Sequence, residues 1–126
     1  MGLASSALLT DLYQLNMIEA YLANDERETA VFEFFFRRLP KERGFLLAAG
    51  PEQVLDYLET MRFSAEELDW LASTGRFTPR LIDYLAGYRF SGDVHAMAEG
   101  RICFADEPVI RITAPRSTRR IISACR

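Results

Sequence analysis

Few residues of this 126-residue chain join a reactive side chain to a setting that invites chemistry. Asp11 and Tyr13 place a carboxylate and a phenol two positions apart at the start of a helical pattern, and Arg37-Arg38 close a phenylalanine-rich run. Glu99-Gly100 separates two apolar stretches, and His95, the one histidine, alternates with Val94 and Ala96. Each has an ordinary structural explanation. Asp11 at a helix N-terminus is favoured by the macrodipole and by capping of free amides. Tyr13 suits a half-buried packing position, the two arginines suit gatekeepers at a strand end, and Glu99-Gly100 suits a hairpin turn. A lone histidine in a strand is more often a hydrogen-bonded sheet residue than a base, so His95 is assigned no role.

Other chemistries fall to the inventory. Cys103, Cys125 and one histidine cannot supply the three or four Cys/His ligands of a tetrahedral metal site. Without a Gly-x-Gly-x-x-Gly, a Walker loop, a Gly-x-Ser-x-Gly or a dense carboxylate cluster, generic motifs assign no catalytic residue and no metal ligand. The N-terminus has no basic, apolar export signal, so the expectation is a cytoplasmic protein with reduced thiols.

The elements that must position these residues can be read from periodicity. Leu12, Leu15, Ile18 and Leu22 recur at helical spacing behind a Thr10 or Asp11 cap, which predicts a helix over 10–24. Residues 29–37 predict a strand with Phe32, Phe34 and Phe36 on one face and Val31, Glu33 and Phe35 on the other, placed inside a sheet. A short strand over 45–49 leads to Gly50-Pro51, where proline opens a second helix with Val54, Leu55, Leu58 and Met61 inward. Ser64 and Glu67 form a capping box for a third helix, and Thr78-Pro79 starts a fourth through Leu81, Ile82 and Leu85. Strands follow over 92–98 and 101–104, joined by the Glu99-Gly100 turn, and over 109–113. The order predicts an α+β domain with a mixed sheet and several short helices.

Composition agrees. Hydrophobic residues are 49%, charged residues 26% and aromatics 12%, typical of a folded domain. No run approaches the ~18 apolar residues of a membrane helix. The net charge of −3 is uneven, because all 18 acidic residues precede position 116 while four arginines fall in the last eleven. Residues 1–115 therefore read as the domain. The basic tail 116–126 is expected to come from a shifted reading frame rather than to be a nucleic-acid arm, since four arginines are few for phosphate-backbone binding.

Four segments taken together resemble the N-terminal region of nicotinate phosphoribosyltransferases. They are Leu8-Leu-Thr-Asp-Leu-Tyr-Gln-Leu15, Val31-Phe-Glu-Phe-Phe-Phe-Arg-Arg-Leu-Pro40, Phe90-Ser-Gly-Asp-Val-His-Ala-Met-Ala-Glu-Gly100 and Phe104-Ala-Asp-Glu-Pro108. Ala48-Ala-Gly50 and Tyr57-Leu-Glu-Thr-Met-Arg-Phe63 are similar as well, and Ala98 departs from the proline usual before Glu-Gly.

The resemblance implies the N-terminal domain of a type II phosphoribosyltransferase without the α/β barrel that follows it. The full enzyme forms nicotinate mononucleotide from nicotinate and phosphoribosyl pyrophosphate for NAD synthesis, using ATP and Mg, and acts as a homodimer. Tyr13 matches an aromatic residue on which the pyridine ring stacks in the partner subunit's site. Asp11 matches a carboxylate of the same pocket, and Arg37 an arginine that reaches a phosphate across the dimer. The expected substrate-binding residues are thus Asp11, Tyr13 and Arg37, with Arg38 and Glu99 less favoured. This chain alone is expected to be a catalytically inert piece of the enzyme that binds no cofactor, nucleic acid or membrane. The alternative is a non-catalytic dimerisation or regulatory module.

Overall fold

A computed structural model describes residues 6–8 and 10–118. The elements are α1 (Leu12–Ala23), β1 (Thr29–Phe34), β2 (Leu46–Leu47), α2 (Pro51–Thr60), α3 (Ala65–Ser73), α4 (Pro79–Ala86), β3 (Asp93–Ala96), β4 (Ile102–Cys103) and β5 (Ile110–Pro115). They form an α+β fold with two cores. Leu15 and Ile18 of α1, Leu71 of α3, and Leu81 and Leu85 of α4 make one core with Met61, Phe63 and Tyr88. Ile110, Ile112 and Ala114 of β5 make the other with Ala48, Leu58, Cys103 and Val109. Tyr57 of α2 packs against both.

Local sequence accounts for the helices. Ser64 Oγ accepts from Glu67 N while the Glu67 carboxylate accepts from Ser64 N, so the capping box forms as expected. Thr78 Oγ1 accepts from Leu81 N behind Pro79, and the fourth helix begins there. In α1 the buried line runs through Gln14, Leu15 and Ile18, which leaves Leu12 at its edge and half exposed instead of inward. Leu55 of α2 is also exposed instead of inward, while Leu58 is buried in the sheet core.

The strands depart further from expectation. Three of them form a sheet in the order β1-β5-β3, and β2 pairs with β4 separately. Every described pair is antiparallel, so the strand directions are not mixed. β1 lies at a sheet edge rather than inside, with Val31 59% and Phe34 58% exposed. Its phenylalanines read as interior because aromatic and β-branched content marks strands without telling edge from centre. β3 and β4 are not a hairpin either: β3 joins β5, and β4 joins β2.

The Glu99-Gly100 corner explains that split. Glu99 Oε1 accepts from Gly50 N at 2.7 Å and Oε2 from Glu52 N at 3.4 Å, so its carboxylate caps α2 from a distant point in the chain. Gly100 N donates to Ala48 O and Ala48 N to Arg101 O, both at 2.7 Å, which turns the strand toward β2. Beside the other sheet Gly92 runs close to β5, where a Cβ would lie 2.7 Å from Thr113 O and 2.8 Å from Ala114 Cβ. Cys103 is a buried free thiol. Of the expected tail, Arg116 pairs with Glu26 and Glu28, its N–H donates to Glu28 O, and Ser117 Oγ accepts from Tyr84 Oη. Residues 119–126, Cys125 among them, lie outside the described residues. No helix among the described residues is long and apolar enough to cross a membrane.

Candidate functional site

The start of α1 is fixed at several points. Ala7 is buried in the helical core just ahead of it, and Ser6 Oγ donates to Glu67 at the head of α3. Asp11 takes the N-cap backbone conformation (φ −75°, ψ 145°), and its carbonyl accepts from Gln14 N at 2.9 Å. Its carboxylate makes no capping bond, contrary to the structural role expected of it, and stays exposed. Further along, Glu19 Oε1 accepts from Thr78 N at 2.7 Å, so α1 supplies a second cap to α4 and is held against it.

Tyr13 follows in the first turn and is 50% exposed. The amide of buried Gln14 donates to its phenol oxygen at 2.5 Å, which pins the rim of the ring while half of its surface remains open. An aromatic face anchored in this way can stack on a flat ring, and a neighbouring free carboxylate can accept a charge-assisted hydrogen bond. Asp11 and Tyr13 therefore sit together at the start of α1, the carboxylate in no capping bond and half of the ring surface open.

Arg37 belongs to the other core. β1 ends at Phe34, and the chain is then tied to the segment before β5, with Val109 N donating to Phe34 O at 2.8 Å and Asp106 N to Phe36 O at 2.9 Å. Arg37 and Arg38 come just after these ties, both exposed and neither in an ion pair among the described residues. A fixed backbone with a free planar guanidinium suits bidentate grip on a phosphate. No hydrogen bond or ion pair joins Arg37 to Asp11 or Tyr13 among the described residues, so the expected substrate-binding residues fall in two separate places.

His95 is exposed on β3 opposite Arg111, which in turn opposes Glu33 on β1 and pairs with it at 2.7 Å. The described residues hold no group of three His, Cys, Asp or Glu able to bind a metal ion. Sequence reasoning missed the capping roles of Glu19 and Glu99, and it gave Glu67 its box with Ser64 but not its tie to Ser6. One signal was available, because a helix opening on Gly50-Pro51 has no capping side chain of its own and must borrow one.

A family model described as the nicotinate phosphoribosyltransferase N-terminal domain matches residues 8–123. The pncB2 nicotinate phosphoribosyltransferase of Mycobacterium tuberculosis is 45% identical over 109 residues, covering 86% of this chain and 24% of the relative. The nicotinate phosphoribosyltransferase of Bacillus subtilis is 40% identical over 119 residues, covering 94% of this chain and 24% of its own length. Among solved structures, human nicotinic acid phosphoribosyltransferase superposes with a TM-score of 0.81 at 32% identity, over 94% of this chain and 24% of that one. The chain thus spans about a quarter of the length of the relatives it matches.

Proposed function

Because this chain belongs to the nicotinate phosphoribosyltransferase family, matching its N-terminal domain, we propose that it serves nicotinate mononucleotide formation in NAD synthesis. In this reading it contributes two half-sites to an active site completed by protein outside the described residues. Tyr13 stacks on the nicotinate ring, Asp11 orients it, and Arg37 grips a phosphate of phosphoribosyl pyrophosphate, each across a subunit boundary. The observation that carries the reading is the pinned but half-open ring of Tyr13 beside an unused carboxylate, in a segment that the family model matches. The free guanidinium of Arg37 supports the phosphate half. Stacking suits an electron-poor heterocycle. The Arg37 fork would position the phosphate and balance charge that develops on departing pyrophosphate.

The described residues hold no group of three His, Cys, Asp or Glu that could bind a metal ion, and no step of this proposal runs through magnesium or ATP. The chain by itself is expected to release no pyrophosphate from nicotinate and phosphoribosyl pyrophosphate. Turnover by the purified chain would sink this division of labour. The substrate assignments are tested by replacing the matching region of the Bacillus subtilis relative with this chain and following steady-state kinetics. Tyr13→Ala should raise the nicotinate KM by ~2- to 10-fold, the value of one aromatic contact. Arg37→Ala should raise the phosphoribosyl pyrophosphate KM by ~10- to 100-fold, with little recovery in Arg37→Lys. Unchanged constants in both variants would remove these residues from the site.

A further inference from the structure

The buried stripe of α1 contains an amide at a place where an apolar side chain would be easier to bury. Leu12, Leu15, Ile18 and Leu22 share helical spacing, yet the helix turns Gln14 inward at 2% exposure and leaves Leu12 48% exposed. Transfer from water favours the opposite rotation, since a leucine gains by burial while an amide must recover inside the protein the hydrogen bonds it made to solvent. One of those bonds goes to the neighbouring residue. Gln14 Nε2 donates to Tyr13 Oη at 2.5 Å, and among the described residues this is the only hydrogen bond of the Tyr13 side chain. Adjacent positions on a helix point in different directions, so the bond ties a side chain enclosed in the core to one at the rim.

A ring offered to a ligand has to be held. A half-exposed aromatic side chain that turns freely loses rotamer freedom when a second ring stacks on it, and that loss weakens binding. An anchor on the phenol oxygen restricts the ring beforehand and leaves its π-face uncovered. We propose that Gln14 is a positioning residue of the substrate site: it holds the Tyr13 ring in the orientation that receives a flat heterocycle, and it touches no substrate itself. The inference rests on the stacking role given to Tyr13 above, and it adds a requirement that stacking alone does not make. Phenylalanine would stack as well as tyrosine, whereas the Gln14 anchor needs the hydroxyl.

The bond and its use can be tested apart. The chain has two glutamines, Gln14 and the exposed Gln53. In the full chain the side-chain amide protons of Gln14 should exchange with water more slowly than those of Gln53, and Tyr13→Phe should shift the Gln14 pair in the NMR spectrum while the Gln53 pair stays in place. A Gln14 pair that does not move overturns the proposal. In the Bacillus subtilis chimera, Tyr13→Phe and Gln14→Met should each raise the nicotinate KM by ~2- to 10-fold, the value of one neutral hydrogen bond, and by no more than Tyr13→Ala does. The kcat and the phosphoribosyl pyrophosphate KM should not change, because the anchor acts on ring binding alone. The double variant should be no worse than either single one, since both remove the same bond. If Gln14 only filled the core, Gln14→Met would lower stability and Tyr13→Phe would keep the unmodified nicotinate KM. That unchanged KM, or additive losses in the double variant, overturns the proposal and leaves the substrate reading standing as long as Tyr13→Ala raises the same constant. An unchanged KM in Tyr13→Ala removes the substrate reading, and this inference with it.

Discussion

The helical and strand halves of this domain bury their apolar residues very differently. In the helical half Ile18, Leu71, Leu81 and Leu85 are all 0% exposed, and the helix ends are closed by Ser64, Thr78, Glu19 and Glu67. In the strand half Val31, Phe34, Phe35, Phe45, Leu47, Ile102 and Phe104 all remain more than a third exposed. A helix shows one stripe to a core and can turn the rest to water, whereas a small sheet has two faces and this domain covers only one. The helical half closes its core around Leu15 and Ile18 of α1. The strand half leaves one apolar face open, and it also carries Arg37.

The sharpest way to break this comparison is to truncate the same residue type in each half. Leu81→Ala opens a cavity in a closed core and should cost about 2–5 kcal/mol in urea unfolding. Leu47→Ala removes a side chain that is already 58% exposed and should stay within about 0.5 kcal/mol. Equal losses would mean that the open face of the β2–β4 pair is part of a folded core. Next in size is Gly92→Ala. Its Cβ would press against the Thr113 carbonyl, so the β3–β5 contact has to open, at about 1–3 kcal/mol, even though Gly92 is exposed. Without that loss, the close approach of the two strands would not be real.

The same division governs what could be read in advance. Caps and prolines act within four residues, so Ser64, Glu67, Thr78 and Pro79 announced their helices, and Asp11 and Tyr13 were placed correctly at the start of α1. Strand partners are set by residues far apart in the chain. The edge position of β1, the separation of β3 from β4, and the end of β1 short of Arg37 were therefore hidden. Burial was hidden for the same reason, since Phe34 and Phe104 are as apolar as any core residue. The roles of Asp11, Tyr13 and Arg37 were not legible from periodicity at all and came with the family resemblance. Glu99 shows the limit most clearly: a residue read as a turn caps a helix nearly fifty positions earlier.

Glu99 offers the third test, because it caps a helix from the strand half. Glu99→Ala removes the acceptor for Gly50 N and Glu52 N and should cost about 1 kcal/mol. Glu99→Gln keeps an acceptor oxygen and should recover part of it. Amide exchange should quicken at Gly50 and Glu52 and stay unchanged at the head of α3, which has its own box. Faster exchange in both helices would show that the halves are not separately capped.

The smallest effect lies in the helical half and depends on pH. Partial burial of Glu67 would by itself raise its pKa, but it is outweighed by hydrogen bonds from the Ser6 hydroxyl and from Ser64, with a smaller contribution from the nearby Leu8 amide, which donates to Ser6 Oγ. The carboxyl is held below its usual value. A group lowered in the folded state releases its proton more readily there than in the unfolded chain, so its stabilisation is complete above the ordinary carboxylate pKa. It is lost as pH falls through the lowered folded value. Glu67→Gln should leave neutral-pH stability slightly reduced and flatten the acid limb of the stability curve. Exchange at Leu8 should rise on acidification in the unmodified chain and become pH-independent, beyond the intrinsic exchange chemistry, in the variant. Because residues 6–8 lead into α1, the same experiment asks whether the start of α1 is clamped by α3 or merely rests on it. An acid limb unchanged in Glu67→Gln would decide for the second.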